Sequence, residues 1–229
     1  MATADLITQL KQDFDDVYAA GKAAGGGSGE DYLQYAKTVQ FNSLNDFGKA
    51  EVELNLDNCI SLYLLFRIDS VEKINSTVEH LTINCDSPTE LHSMFHCNYN
   101  YSDQKLKRVT LNVDTSKVTK FNDVFNCMQA IEEIDGTPFD LSSATNMNNM
   151  FNYNYALKEV RFVANSIPLE LKINYSPLLS TDTIQSIIDG LADLTGGTAQ
   201  TLTLHATVGA KLTDEQKATI TAKNWTLVY

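Results

Sequence analysis

The chain has 229 residues, enough for one domain with a continuous hydrophobic core. It carries 17 Lys and Arg residues against 29 Asp and Glu residues, a net charge of -12, and no basic cluster, so a nucleic-acid partner is not expected. No apolar run approaches the roughly 18 residues of a membrane helix, so insertion into a membrane is not expected either.

Residues 1–30 are predicted to form a helix followed by a flexible linker. The apolar residues of the helix follow the spacing of a coiled-coil stripe, and they are Ile7, Leu10, Phe14 and Val17. Five glycines within residues 20–29 indicate the linker. Because a stripe on a flexible linker has nothing of its own chain beside it, we expect it to drive homo-oligomerisation or anchoring to a partner.

The body of the chain, residues 31–174, contains an internal repeat. Residues 113–125 align without a gap on residues 139–151, and a third copy begins at Ile83. The anchoring phenylalanines stand 29, 30 and 26 residues apart, and they are Phe66, Phe95, Phe125 and Phe151. This period lies in the range of leucine-rich repeats and related solenoids.

Each repeat is predicted to hold a short strand, a polar turn, and a helical or 3₁₀ turn that contains the phenylalanine. The clearest strand segments are residues 52–56, 78–83 and 109–113. One repeat cannot bury its apolar face alone, so stacking should give a parallel sheet on one side and the turns on the other. The residues expected to share one core are Val113, Phe125, Phe139 and Phe151.

The repeat pattern does not continue into residues 175–229. These residues are predicted to form a small α/β cap that closes the stacked core. Its expected elements are a helix at 181–194, a strand at 201–205, a helix at 213–222 and a strand at 225–229. Ser180 or Thr181 should cap the first helix, and Gly196 should end it. Thr213 and Gln216 match a capping box at the start of the second helix.

The repeated pattern Phe/Val-Asp-x-Ser-x-x-Thr-x-Met/Phe-x-x-Met/Val-Phe resembles the BspA-like leucine-rich repeats of bacterial surface proteins, over roughly residues 50–165. In that family a Cys commonly stands three residues after the Phe. Here Cys97 and Cys127 stand two residues after it, and Tyr153 replaces the third. The resemblance implies an α/β, leucine-rich-repeat-like solenoid that serves as a recognition scaffold, because family members are mostly adhesive or uncharacterised.

Two arrangements of reactive side chains are candidate chemical sites. His92 and His96 stand one helical turn apart, but the Glu of a zinc-protease motif is missing, so no metal is predicted. Cys97 and Cys127 occupy equivalent places on successive turns, within disulfide range, although reduced core thiols are favoured because no secretory signal precedes them. No dinucleotide or phosphate-loop fingerprint occurs, so no cofactor is expected.

Two clusters rich in Asn and Tyr are the candidate ligand-binding residues. They are Asn98, Tyr99, Asn100 and Tyr101 in an insertion, and Tyr153, Asn154 and Tyr155 after the last anchor. Tyrosine supplies rigid aromatic area and asparagine adaptable hydrogen bonds, which suit a protein or glycan surface. The alternative is that Asn only serves polar turns while Tyr packs on the neighbouring repeat.

The leading interpretation is a non-enzymatic binding, adhesion or structural module, with association to a phage or prophage tail as its most concrete form. The N-terminal residues lack a basic stretch followed by an apolar stretch, so either a phage virion or the bacterial cytoplasm is the expected location. One alternative is a host cytoplasmic interaction scaffold. Another is a glycan hydrolase, which would need two carboxylates facing each other across a groove.

Overall fold

The computed structural model describes residues 50–56, 59–68, 77–97 and 105–229. The strands within them are β1 (Glu51–Asn55), β2 (Phe66–Ile68), β3 (His80–Cys85), β4 (Phe95–Cys97), β5 (Arg108–Val113), β6 (Glu133–Gly136), β7 (Leu171–Ile173), β8 (Gln200–Leu204) and β9 (Trp225–Val228). The helices are α1 (Thr181–Gly190), α2 (Ala206–Gly209) and α3 (Asp214–Ala222). The predicted N-terminal helix, with Ile7, Leu10, Phe14 and Val17, lies outside the described residues.

The body of the fold is a mixed α/β arrangement in which strands from successive repeats pair in parallel. β1, β3, β5 and β6 form a four-stranded sheet in that order. Glu51 lies opposite His80, His80 opposite Arg108, and Arg108 opposite Glu133. Each strand is therefore one repeat further along the chain than its neighbour, as the sequence period predicts.

Side chains alternate across this sheet because successive residues of a strand point to opposite faces. In β3 the buried residues Leu81, Ile83 and Cys85 alternate with the partly exposed His80 and Thr82. The inward residues of all repeats belong to one hydrophobic core that continues into the C-terminal part. The predicted core residues Val113, Phe125, Phe139 and Phe151 are all buried in it, which confirms that prediction.

Three of the phenylalanine anchors, Phe95, Phe125 and Phe151, form a ladder behind the sheet. The rings of Phe95 and Phe125 stack with centroids 5.7 Å apart, and those of Phe125 and Phe151 stack at 5.8 Å. The turns that carry them are joined by backbone bonds, from Phe95 N to Val124 O at 3.2 Å and from Phe125 N to Met150 O at 3.1 Å. The repeats are thus held in register on both sides of the core.

A residue with positive φ stands two positions before each anchor. These residues are Leu64 (52°), Ser93 (54°), Asp123 (58°) and Asn149 (56°). The turn therefore requires the left-handed conformation in every repeat. Asn and Asp tolerate this conformation, whereas a bulky apolar residue such as Leu64 is strained by it.

The C-terminal part is a three-stranded parallel sheet, ordered β7, β8, β9, with helices between its strands. Ser180 caps α1 by accepting from Thr183 N at 3.1 Å. Thr213 and Gln216 form the predicted capping box of α3. The predicted boundary at 174/175 falls between β7 and α1, so this sheet draws its first strand from the repeat side.

Two secondary-structure predictions differ from the structure. Phe66 and Phe95 begin short paired strands instead of lying in helical turns, although Phe125 and Phe151 do lie in turns. The first cap helix ends at Gly190 rather than near Gly196, because Leu191 leaves helical geometry and pairs with Ile167 in a parallel bridge. Among the described residues, no helix combines the length and the apolar character that a membrane span needs.

Candidate functional site

The structure describes the second of the two predicted Asn/Tyr clusters. Asn98, Tyr99, Asn100 and Tyr101 lie outside the described residues. Tyr153 and Tyr155 belong to the turn that follows the Phe151 anchor, and the exposed fraction of Tyr155 is 45%. This turn lies beside the turn that follows β7, because Ser176 Oγ donates to Asn154 O at 3.0 Å.

The contact between these turns brings three tyrosine rings together. The ring centroids of Tyr153 and Tyr175 are 4.5 Å apart, with planes inclined by 41°. Tyr155 stands edge-on to Tyr175 at 6.0 Å and lies 6.1 Å from Tyr153. Such separations are within the range of favourable aromatic contact. The cluster presents a continuous aromatic surface that is partly exposed.

A shallow groove of about 310 Å³ adjoins these rings. We call it the tyrosine groove, and its lining residues are Asn149, Asn152, Tyr153, Lys172, Asn174 and Tyr175. Every one of them is polar or aromatic, and none is aliphatic. The groove therefore combines ring faces with amide groups.

Several hydrogen-bonding groups around the tyrosine groove are not engaged by the protein. Within the described residues, the side-chain amides of Asn152 and Asn174 make no hydrogen bond to another residue, and neither does the hydroxyl of Tyr155 or of Tyr175. All four side chains are half-buried or exposed, so their polar groups can bond to solvent water. A ligand that replaces this water finds donors and acceptors side by side.

The third amide of the groove is oriented by a carboxylate. Asp123 Oδ1 accepts from Asn149 Nδ2 at 3.2 Å and from Asn126 Nδ2 at 3.1 Å, and Asp123 Oδ2 accepts from Asn122 Nδ2 at 3.2 Å. Asn149 itself has a positive φ, which its residue type tolerates. This wall of the groove is therefore fixed before a ligand arrives.

Tyr153 occupies a strained backbone position. Its φ is +58°, and Cys127, which stands at the same place one repeat earlier, has a φ of +63°. The turn thus requires a left-handed residue at this place, where a bulky side chain costs about 1–2 kcal/mol. A tyrosine here places its ring against Tyr175.

Asn154 is a correction to the predicted ligand-binding set. Its side chain is fully buried, and Nδ2 donates to Phe125 O at 2.8 Å and to Met128 O at 3.1 Å. These two carbonyls belong to the previous repeat, so the amide ties two repeats together. A ligand on the surface cannot reach it, and sequence alone does not distinguish it from the surface asparagines around it.

The one positive charge among the groove-lining residues is paired. Lys172 Nζ lies 2.9 Å from Glu170 Oε2, and both side chains are about half exposed. Asp123 adds a further carboxylate next to Asn149. The groove therefore offers no unpaired cation among the described residues, which bears on the charge of a suitable ligand.

The outer face of the four-stranded sheet is a second polar surface. We call it the polar sheet face, and its central feature is a ladder of exposed asparagines. Asn84 Nδ2 donates to Asn55 Oδ1 at 2.6 Å, and Asn112 Nδ2 donates to Asn84 Oδ1 at 2.7 Å. Arg108, two rows away on the same face, is bonded to Glu133 and Asp135. Because these groups largely satisfy one another, this face has less hydrogen-bonding capacity left for a ligand.

His92 and Cys127, from the predicted histidine and cysteine arrangements, are not among the residues that line the tyrosine groove. His92 stacks on Tyr63 with ring centroids 4.1 Å apart, and burial lowers the pKa of its imidazole. No group of three potential metal ligands occurs among the described residues. Cys127 is a buried thiol whose Sγ donates to Asn126 Oδ1 at 3.3 Å. The side chain of Cys97 is not among those that the structure describes.

Lys172, Asn174 and Tyr175 are groove residues that the sequence predictions missed. They lie at the end of the repeat region, where the repeat pattern is lost. A signal was nevertheless present, because the dipeptide Asn-Tyr at 174–175 repeats the one at 152–153. The polar sheet face also had a signal, since Asn55, Asn84 and Asn112 hold the same place in successive strands.

Comparison with known proteins adds a family similarity for the repeat region. Residues 60–162, just under half of the chain, match the family described as "Mycoplasma protein of unknown function, DUF285". This family is associated with BspA-like repeat proteins, which agrees with the resemblance seen in the sequence. No curated protein and no solved structure matches the chain significantly.

Proposed function

We propose that this chain is a non-catalytic recognition module, built as a BspA-like, leucine-rich-repeat-like solenoid, which binds a protein or glycan surface at the tyrosine groove. The observation that carries the proposal is the meeting of Tyr153, Tyr155 and Tyr175 beside amides that the protein leaves unengaged. Rigid aromatic area combined with adaptable polar groups is typical of recognition surfaces.

Adhesion is the form of this function that the resemblance to BspA-like repeats favours. The match over residues 60–162 connects the repeats with BspA-like repeat proteins. The resemblance seen in the sequence implies that such proteins are mostly adhesive or uncharacterised. Association with a phage or prophage tail is the most concrete version of an adhesive role. The predicted stripe of Ile7, Leu10, Phe14 and Val17 would then supply oligomerisation or anchoring, so that several weak sites act together.

A cytoplasmic protein-interaction scaffold is the second candidate, and the polar sheet face favours it. That face is broad and carries charged groups of both signs, among them Arg108, Glu133 and Asp135. A glycan hydrolase has less support, because no carboxylate is among the groove-lining residues that the structure describes. Hydrolysis would require two such groups across the groove.

The proposal is tested by retention of the full chain on bacterial cells and on isolated wall glycans. We compare the wild type with the double variant Tyr155→Ser/Tyr175→Ser, and we use Arg108→Gln as a matched control on the polar sheet face. Retention of the wild type and the control, with loss for the double variant at an unchanged melting temperature, supports the proposal. Equal retention of all three proteins, or no retention of the wild type, contradicts it.

A further inference from the structure

We infer that the tyrosine groove binds an uncharged oligosaccharide, with a pyranose ring lying against Tyr175 and its hydroxyls bonded to the amides of Asn152 and Asn174. This inference rests on the proposed function and specifies its ligand. It follows from the chemistry of the lining residues, from their charge and from the size of the groove.

The chemistry of the lining matches that of a sugar ring. A pyranose has faces of C–H groups and a rim of hydroxyls, so it needs an aromatic face and, around it, groups that both donate and accept. The ring of Tyr175 supplies the aromatic face, and each side-chain amide of Asn152 and Asn174 supplies two donors and one acceptor. Tyr155, whose ring centroid lies 6.0 Å from that of Tyr175, carries a hydroxyl that can donate or accept.

The charge around the groove favours a neutral ligand. Lys172 is paired with Glu170 at 2.9 Å, so an anionic sugar would have to compete with a carboxylate for it. Asp123 lies behind Asn149, and the whole chain carries a net charge of -12. An acidic polysaccharide is therefore repelled over a longer range as well.

The lining also argues against a peptide as the ligand. A bound peptide is recognised through apolar side chains that enter pockets or through pairing with an open strand edge. No aliphatic residue lines the tyrosine groove. Asn149, Asn152 and Tyr153 lie in turns, and Lys172 is the one lining residue that lies in a strand. A volume of about 310 Å³ lies at the lower end of small-molecule sites, roughly 300–1,000 Å³, which suits one or two sugar rings.

The inference is tested by calorimetric titration of the full chain with two neutral probes, N-acetylglucosamine hexamer and maltohexaose, and one acidic probe, galacturonic acid hexamer. We expect at least one neutral probe to bind about tenfold more tightly than the acidic one. Tyr175→Ser should weaken that binding about tenfold, whereas Tyr175→Phe, which keeps the ring, should weaken it by less than about threefold. Melting temperatures of both variants check that the fold is kept.

A charge variant makes the test specific. Glu170→Gln releases Lys172 from its ion pair, so it should improve binding of the galacturonic acid probe and leave the neutral probe unchanged. Tighter binding of the acidic probe by the wild type would overturn the inference. So would failure of both neutral probes at about 10 mM. If retention on cells remains tyrosine-dependent in that case, the recognition function stands and its ligand is not a neutral glycan.

Discussion

The ring of Phe151 lies parallel to that of Phe125, with planes 6° apart and centroids separated by 5.8 Å. The two residues hold the same place in successive repeats, and Phe95 extends the stack on the other side of Phe125. All three rings are fully buried. This ladder joins the repeats, so its middle member should matter most for stability.

Phe125→Ala should reduce the free energy of unfolding by about 3–5 kcal/mol, because it removes a buried ring and leaves a cavity between two others. Phe125→Leu, which fills most of that space, should cost less than about 1.5 kcal/mol. Denaturant melts of both variants measure the difference. A loss below about 1 kcal/mol for the alanine variant would mean that the repeats do not share one core.

Leu64 should be a site at which glycine stabilises the protein relative to alanine. Its φ is +52°, which strains any residue that carries a Cβ. Leu64→Gly should therefore be more stable than Leu64→Ala by about 1 kcal/mol. At the neighbouring residue Tyr63, whose φ is not positive, the alanine variant should be more stable than the glycine variant. Equal melting temperatures of Leu64→Gly and Leu64→Ala would show that the backbone at Leu64 is not strained.

Asn154 should be a structural residue despite its place among surface tyrosines. Asn154→Asp turns a donor toward Phe125 O and Met128 O into a buried carboxylate, so it should cost about 3 kcal/mol or more. Asn152→Asp is the matched control, because that amide bonds to no described residue, and it should cost less than about 0.5 kcal/mol. Similar costs for the two variants would show that Asn154 is exposed in solution.

His92 should make stability depend on pH near neutrality. Burial lowers the pKa of its imidazole from an ordinary value of 6.5, Lys120 lowers it further, and Glu90 and Asp123 oppose the shift. The unfolded chain therefore binds the proton more readily than the folded one. The free energy of unfolding should be highest above pH 6.5. It should fall as the pH drops through 6.5 and become constant below the lowered pKa of His92.

Melting temperatures measured between pH 8 and pH 5 check this dependence, and His92→Phe should flatten it. Hydrogen bonds from Ser116 and Lys158 lower the pKa values of Asp114 and Glu132, but both carboxylates are exposed and act only at more acidic pH. A slope of the same size in His92→Phe would assign the effect to another group.

Local signals in the sequence were sufficient for the repeats and the helix caps. Stacking requires equivalent residues at a constant spacing, so the period of the phenylalanines predicted which residues are buried. Ser180, Thr213 and Gln216 bond to backbone within three residues, so their roles could be predicted from neighbouring residues alone. These features do not depend on distant parts of the chain.

Features that depend on distant contacts could not be predicted in the same way. α1 ends early because the chain after Gly190 pairs with Ile167, which lies 24 residues before Leu191. Tyr175 meets Tyr153 across a separation of 22 residues, which is shorter than the spacing of 26 to 30 residues between the anchors, so the repeat period did not predict this contact. Asn154 resembles Asn152 in sequence, and only the packing of the previous repeat separates their roles.

The most direct test of the account follows the asparagine side-chain amides by NMR while the neutral hexamers are added to the full chain. The resonances of Asn152 and Asn174, assigned by single substitution to alanine, should move with increasing ligand. Those of Asn84 and Asn112 on the polar sheet face should stay in place, because their amides are bonded to each other. Shifts confined to Asn84 and Asn112, or no shift at any of the four amides, would contradict recognition at the tyrosine groove.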